Sequence, residues 1–136
     1  MLLTLLAPAG VSADIHDPVT GRADVSDDAD ATAPITGDQT TSDVAMDHLG
    51  RVHVTWQDNR AGRFNVMYSR SDNGGMSFGP SIRVNEPRPS IDFMSPSIDV
   101  DGDGNPFIVW HDPRNSITTG LDIYMARSYD GGDTFG

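Results

Sequence analysis

The sequence has no cysteine and no lysine, and its only glutamate is Glu86. Without cysteine there is no disulfide scaffold, no thiolate metal centre and no cysteine nucleophile. Lys and Glu are good helix formers, whereas Asp competes for backbone groups and favours turns and caps. All but one of the 20 acidic residues are aspartate and all 9 basic residues are arginine, alongside 14 glycines and 9 prolines in 136 residues. This composition predicts an all-β chain of short strands joined by turns. A net charge of -11 without a basic run excludes nucleic acid and anionic membrane surfaces as partners. Hydrophobic residues at 37%, with 2 Trp, 3 Tyr and 5 Phe, are enough for a core and argue against a wholly disordered chain. The length suits about one domain.

Residues 1–13 read as an apolar stretch ending in Val11-Ser12-Ala13, whose small residues fit a secretory cleavage site. The stretch lacks a basic n-region and is too short to span a bilayer. The expectation is a signal-peptide remnant and an exported, extracytoplasmic protein with no membrane attachment after export. Residues 14–37 are rich in Asp, Thr, Ala and Gly and read as a linker. Within it, Ala23-Asp24-Val25-Ser26 resembles Ile82-Arg83-Val84-Asn85 and reads as a spare outer strand.

Self-similarity organises the remainder. At an offset of 54 positions Asp38, Asp47, Gly50, Trp56, Asp58 and Arg60 fall on Asp92, Asp101, Gly104, Trp110, Asp112 and Arg114. After an insertion of three residues near Ser116 to Thr119 the offset becomes 57. Arg70, Ser71, Gly74, Gly75, Phe78 and Gly79 then fall on Arg127, Ser128, Gly131, Gly132, Phe135 and Gly136. Each unit reads as strands. Val44-Ala45-Met46 matches Ile98-Asp99-Val100, ending at an Asp-and-Gly turn in both copies. Val52 to Trp56 matches Pro106 to Trp110, alternating with period two in the first copy and apolar on both faces in the second. Val66 to Ser69 matches Ile123 to Ala126, and Ser81 to Asn85 closes the first unit. Four antiparallel strands in such a unit make one blade of a β-propeller.

The turn after the third strand is the most specific motif. It runs Ser71-Asp72-Asn73-Gly74-Gly75-Met76-Ser77-Phe78 in one unit and Ser128-Tyr129-Asp130-Gly131-Gly132-Asp133-Thr134-Phe135 in the other. Both resemble the Asp box, S-x-D-x-G-x-[T/S]-[F/W], the BNR repeat of sialidase-like propellers. The resemblance marks Ser71, Asn73, Gly75, Ser77 and Phe78, with Ser128, Asp130, Gly132, Thr134 and Phe135, as structural turn residues. Asn73 departs from the pattern by replacing the aspartate. The implied fold is a sialidase-like propeller, with one blade over residues 38–86 and a second over 87–136 that lacks its outer strand. Propellers need about 4–8 blades. The chain therefore reads as part of an incomplete propeller, either a fragment joined to further blades or a chain that self-associates.

Three patterns carry candidate chemistry. Trp56-x-Asp58-x-Arg60 recurs as Trp110-x-Asp112-x-Arg114. Arg60 and Arg114 at strand ends are candidates for binding a ligand carboxylate or sulfate bidentately. Structural Asp–Arg pairs are the competing reading, favoured because scaffold residues repeat from unit to unit. Asp99, Asp101 and Asp103 have the opening spacing of a calcium loop, but Trp110 stands where an EF-hand needs Glu, so a plain Asp-Gly turn is the better account. His16, His48, His53 and His111 share no metal spacing, and His53 and His111 read as polar groups of a sheet face or loop. No G-x-S-x-G, P-loop or dinucleotide fingerprint is present, so no cofactor is expected.

The resemblance also implies which catalytic groups to seek: an arginine triad opening in an R-I-P motif, a Tyr–Glu nucleophile pair and an Asp acid/base. R-I-P is absent, Glu86 lies in a loop before Pro87, and Tyr68, Tyr124 and Tyr129 belong to third strands or the box. No catalytic residue is therefore assigned. The expected role is an exported Asp-box module of a propeller that binds glycan or protein ligands. The alternatives are a fragment of an exo-sialidase-type glycoside hydrolase with its catalytic residues elsewhere, and an oligomeric two-blade lectin. Open strand edges predict poor solubility or association in isolation.

Overall fold

In the computed structural model of the chain, residues 16–17, 22–23, 25 and 37–136 are described. The signal-like segment and most of the linker lie outside these residues. The described residues contain no helix. Two short strands, β1 (His16–Asp17) and β2 (Arg22–Ala23), pair with each other in a ladder of their own. Of the spare-strand segment, Asp24 and Ser26 lie outside the described residues.

The first unit is a four-stranded antiparallel sheet in simple meander order: β3 (Gln39–Met46), β4 (Val52–Asp58), β5 (Asn65–Ser71) and β6 (Ile82–Arg83). The second is a three-stranded meander of β7 (Met94–Val100), β8 (Pro106–Asp112) and β9 (Asp122–Arg127). The two offsets seen in the sequence carry directly into these strands. Both β3–β4 and β7–β8 turns are built by an aspartate. Asp47 Oδ1 accepts from the amides of Leu49 and Arg51, each at 2.9 Å, and Asp101 Oδ1 does the same for Asp103 and Asn105. Gly50 and Gly104 close these turns at φ 79° and 82°, a conformation that costs glycine nothing.

Both first strands are longer than their apolar runs suggest, and each carries a bulge. The register slips between Thr40 and Asp43 in β3, and between Met94 and Ser97 in β7. Thr41 (φ 51°) and Ser95 (φ 53°) occupy the same position in the two units, both in the left-handed region. The outer strand β6 is shorter than expected because Asn85 replaces backbone in the ladder. Val84 N still donates to Val66 O at 2.9 Å, but Val66 N donates to the Asn85 side-chain oxygen at 2.7 Å.

The core lies between the two sheets. Val66, Tyr68 and Val84 of the first unit pack with Ile98, Ile108, Trp110 and Ala126 of the second, and Phe93 of the connecting loop. A fully buried aliphatic or aromatic side chain of this size contributes about 1.5–3 kcal/mol. The face of β4 that looks polar in sequence is the more buried one. His53, Thr55 and Gln57 point towards the second unit, while Val52 and Val54 on the other face are only half-buried.

Candidate functional site

The two Trp-x-Asp-x-Arg segments end β4 and β8 and fold alike. Trp56 Nε1 donates to Asp58 Oδ2 and Trp110 Nε1 to Asp112 Oδ2, both at 3.3 Å. The backbone amide two residues on donates to the other carboxylate oxygen at 2.9 Å in each case. Arg60 Nη2 reaches Asp58 Oδ2 at 2.6 Å, and Arg114 Nη2 reaches Asp112 Oδ2 at 2.6 Å. Burial alone would raise the Asp112 carboxyl, but the guanidinium and amide of Arg114 outweigh it and hold it below its ordinary value. Both candidate arginines therefore tie their own loops. Arg114 also donates to Glu86 Oε1 at 2.5 Å and covers the Tyr124 ring 3.9 Å from its centroid. Its Asp112 hydrogen bond, reinforced by Glu86, raises the guanidinium well above its ordinary value despite partial burial. Gly37 permits the Arg60 loop to approach, since a Cβ there would lie 2.6 Å from Arg60 Cγ and 2.9 Å from its backbone.

Beside Arg60 is a cavity of about 170 Å³, lined by Asp58, Arg60, Ala61, Asn65, Met67 and Arg83. Arg83 is exposed on the outer strand. Two guanidinium groups and an amide thus border one small recess, with the charge of Arg60 already shared by Asp58.

The Asp-box residues come together as tight turns at the far ends of β5 and β9. In the first, Ser71 Oγ donates to Asn73 Oδ1 (2.8 Å) and accepts from Gly75 N (2.8 Å), while Ser77 N donates to Asn73 Oδ1 (2.9 Å). In the second, Ser128 Oγ donates to Asp130 Oδ1 (2.7 Å) and accepts from Gly132 N (2.7 Å), and Thr134 N donates to Asp130 Oδ1 (2.9 Å). The Asn/Asp difference reverses one bond. Asn73 Nδ2 donates to Ser77 Oγ at 2.5 Å, whereas Thr134 Oγ1 donates to Asp130 Oδ2 at 2.6 Å. The hydroxyls of Thr134 and Ser128, with the Thr134 amide, hold the Asp130 carboxyl far below its usual range. Phe135 packs edge-on against Tyr68 of the other unit, with centroids 4.9 Å apart, while Phe78 lines a cleft described below.

Residues of the repeat, together with Tyr68, Gln57 and Asp43, which carry no sequence signal, form the seam between the units. Tyr68 is buried against Gly132, whose absent Cβ would lie 2.0 Å from the tyrosine hydroxyl. That hydroxyl meets His53 Nδ1 at 2.7 Å, and His53 Nε2 faces Asp47 Oδ2 at 3.5 Å, too far for a well-formed hydrogen bond. A neutral imidazole with its proton on Nε2 suits both neighbours, leaving Nδ1 to accept from Tyr68. Burial pushes His53 below its ordinary pKa against the opposing pull of Asp47, and burial pushes the Tyr68 hydroxyl up. Burial would also raise Asp47, but the Arg51 guanidinium and the Arg51 and Leu49 amides bring it down to about 2. Around this chain lie three further ties. Asp43 accepts from Ser97 Oγ (2.7 Å) and Ile98 N (3.1 Å), Gln57 Oε1 accepts from Ser95 N (3.0 Å), and Arg70 Nη1 donates to Gly131 O (2.7 Å) and Asp133 Oδ1 (2.9 Å). A cleft of about 440 Å³ opens between the two box turns, bordered by Tyr68, Arg70, Phe78, Ile82 and Asp133.

Asp99, Asp101 and Asp103 are not gathered. Asp101 Oδ1 takes the turn amides, its Oδ2 is held by Arg127 Nη2, and Asp99 Oδ1 is used by Val100 N at 2.8 Å. No group of three or more His, Asp or Glu is arranged to hold a metal among the described residues.

No family profile and no curated protein matches the chain. Among solved structures it is similar to the Hadza microbial sialidase Hz136, with a TM-score of 0.60 and 16% identity over 72% of this chain. The fold is sialidase-like. The match covers 25% of the sialidase, so the chain spans about a quarter of its length. A protein of unknown function from Dyadobacter fermentans DSM 18053 is also similar, with a TM-score of 0.54 and 13% identity over 74% of this chain and 35% of its own. Within this sialidase-like fold the described residues supply one four-stranded blade and one three-stranded blade, and the sheet does not close into a ring.

Proposed function

We propose that the chain is an exported Asp-box (BNR) module of a sialidase-like propeller, non-catalytic by itself, that binds a glycan or protein ligand bearing a carboxylate or sulfate. The observation that carries the ligand class is the recess of about 170 Å³ bordered by the exposed Arg83, beside the Asp58–Arg60 pair. The planar fork of the exposed Arg83 guanidinium matches a carboxylate or sulfate. The two box turns, folded alike at equivalent places, support the module reading. The composition of residues 1–13 supports export.

Calorimetric titration with acidic mono- and oligosaccharides and acidic peptides tests the ligand class. Binding that weakens roughly tenfold in Arg83→Ala, as loss of one charge-assisted contact implies, is the expected result. Equal affinity of Arg83→Ala and the parent chain refutes this location. Turnover of a fluorogenic sialoside by this chain alone refutes the non-catalytic role. The alternative, a fragment of a sialidase-type hydrolase, is supported only by the likeness to Hz136.

A further inference from the structure

The repeat allows a comparison within one molecule. Each residue on the seam face of the first blade has a counterpart on the second, and the two have opposite surroundings. Val66 (0% exposed) and Tyr68 (1%) correspond to Ile123 (64%) and Met125 (60%). The opposite face shows the same inversion, with Ile98 at 8% and its first-blade counterpart Val44 at 61%. At these positions the first blade has its right face covered and its left face bare, and the second blade the reverse. Ile123 and Met125 on one side, beside the half-buried Phe107, and Val44 and Met46 on the other, form two exposed apolar faces.

We infer that these two bare faces dock on each other between copies of the chain, right face of one copy to left face of the next. The polar groups on them follow the seam already made inside the chain. Tyr68 seats on Gly132; its counterpart Met125 meets the counterpart glycine, Gly75, where only Val52 Cγ2, at 3.8 Å, comes within 4 Å of an added Cβ. Arg70 Nη1 donates to Gly131 O across the seam, and its counterpart Arg127 holds Asp101 through Nη2, which leaves Nη1 for a carbonyl on the facing blade. Gly74 O of the next copy is the matching acceptor. Gln57 accepts from Ser95 N, and its counterpart His111 is an exposed ring whose nitrogen is placed to accept from Thr41 N of the next copy. Met76 stands where Asp133 does, so the intermolecular seam lacks one charge pair and is more apolar than the internal one. The contact is heterologous: unlike faces meet, so copies add in one direction until a ring closes or a filament grows. It rests on the packing of the blades and is independent of the ligand-binding role proposed above.

The test uses two face variants of the full chain. Ile123→Arg with Met125→Arg blocks the right face, and Val44→Arg with Met46→Arg blocks the left. All four side chains are more than half exposed, so the fold should persist, and unchanged tryptophan emission from the buried Trp56 and Trp110 verifies it. Sedimentation velocity is expected to show the parent chain associating, and each variant monomeric after at least about a tenfold loss of affinity. An equimolar mixture of the two variants is expected to form one-to-one dimers and nothing larger, because each partner retains one complementary face. A parent chain that stays monomeric at every soluble concentration overturns the inference, and so does a mixture that stays monomeric. Self-association of either variant alone means that like faces pair, which also overturns it. If an arginine variant loses its fold, Met125→Ser and Val44→Ser provide the same comparison.

Discussion

Gly132→Ala is the sharpest probe of how the blades hold together. Gly132 has φ +104°, and an added Cβ would lie 2.0 Å from Tyr68 Oη and 2.8 Å from Tyr68 Cζ. Two costs combine. Placing an alanine in the positive-φ region costs about 1–2 kcal/mol. Forcing a methyl group into a packed seam costs about 1–3 kcal/mol more, because Tyr68 is buried, bonded to His53 and packed edge-on against Phe135. The expected loss is about 2–5 kcal/mol. Gly75 is the internal control: the same motif position, φ +88°, with its nearest neighbour Val52 Cγ2 at 3.8 Å. Gly75→Ala should lose only the backbone part, about 1–2 kcal/mol. Urea unfolding followed by tryptophan emission, at one protein concentration, measures both. Equal losses in the two variants would show that Tyr68 does not seat on Gly132, and the seam as described would be wrong. Tyr68→Leu introduced into Gly132→Ala should narrow the gap, since it removes the atoms that clash.

Two other perturbations follow from the same chemistry. Because the folded His53 has a lowered pKa, its neutral form stabilises the fold at neutral pH; the unfolded chain takes up a proton near pH 6.5 and the folded chain does not, so the urea midpoint should fall as pH drops through about 6.5. A second fall should come as pH approaches about 2, where Asp47 loses its stabilising charge, and a midpoint flat from neutral pH to pH 5 would contradict the buried imidazole. At the second box turn, Asp130→Asn should lower the thermal midpoint less than Asp130→Ala, because Asn73 shows that an amide can accept from the Ser77 amide and turn its donor to the Ser77 hydroxyl. Equal midpoints for the two variants would deny the carbonyl oxygen its role.

What the sequence made legible was the identities that repeat. Paired identities such as Trp56 with Trp110 and Ser71 with Ser128 report constraints that act inside one unit, so they located strands, turns and box residues. The seam between units is different in kind. Tyr68 and Gln57 work against Gly132 and Ser95. A lone seam gives each such residue a partner in one copy and none in the other, so Tyr68 aligns with Met125 and its importance leaves no trace. The alternation of β4 was legible too, but not which face was covered. His53, Thr55 and Gln57 are polar, and only the position of the second sheet shows that their hydrogen bonds are made indoors. The recess at Arg60 depends on Arg83 of the outer strand, whose distance in sequence hides its nearness.

The bulges of β3 and β7 carry a consequence for shape. Thr41 and Ser95 are different residues, neither of them glycine, yet both take nearly the same left-handed torsion at the same place. A bulge bends its strand and increases its twist. The two bends agree in place and hand, so each blade carries the same bent first strand. Curvature is thus written into the backbone one unit at a time, as a mason cuts the taper into each stone of an arch.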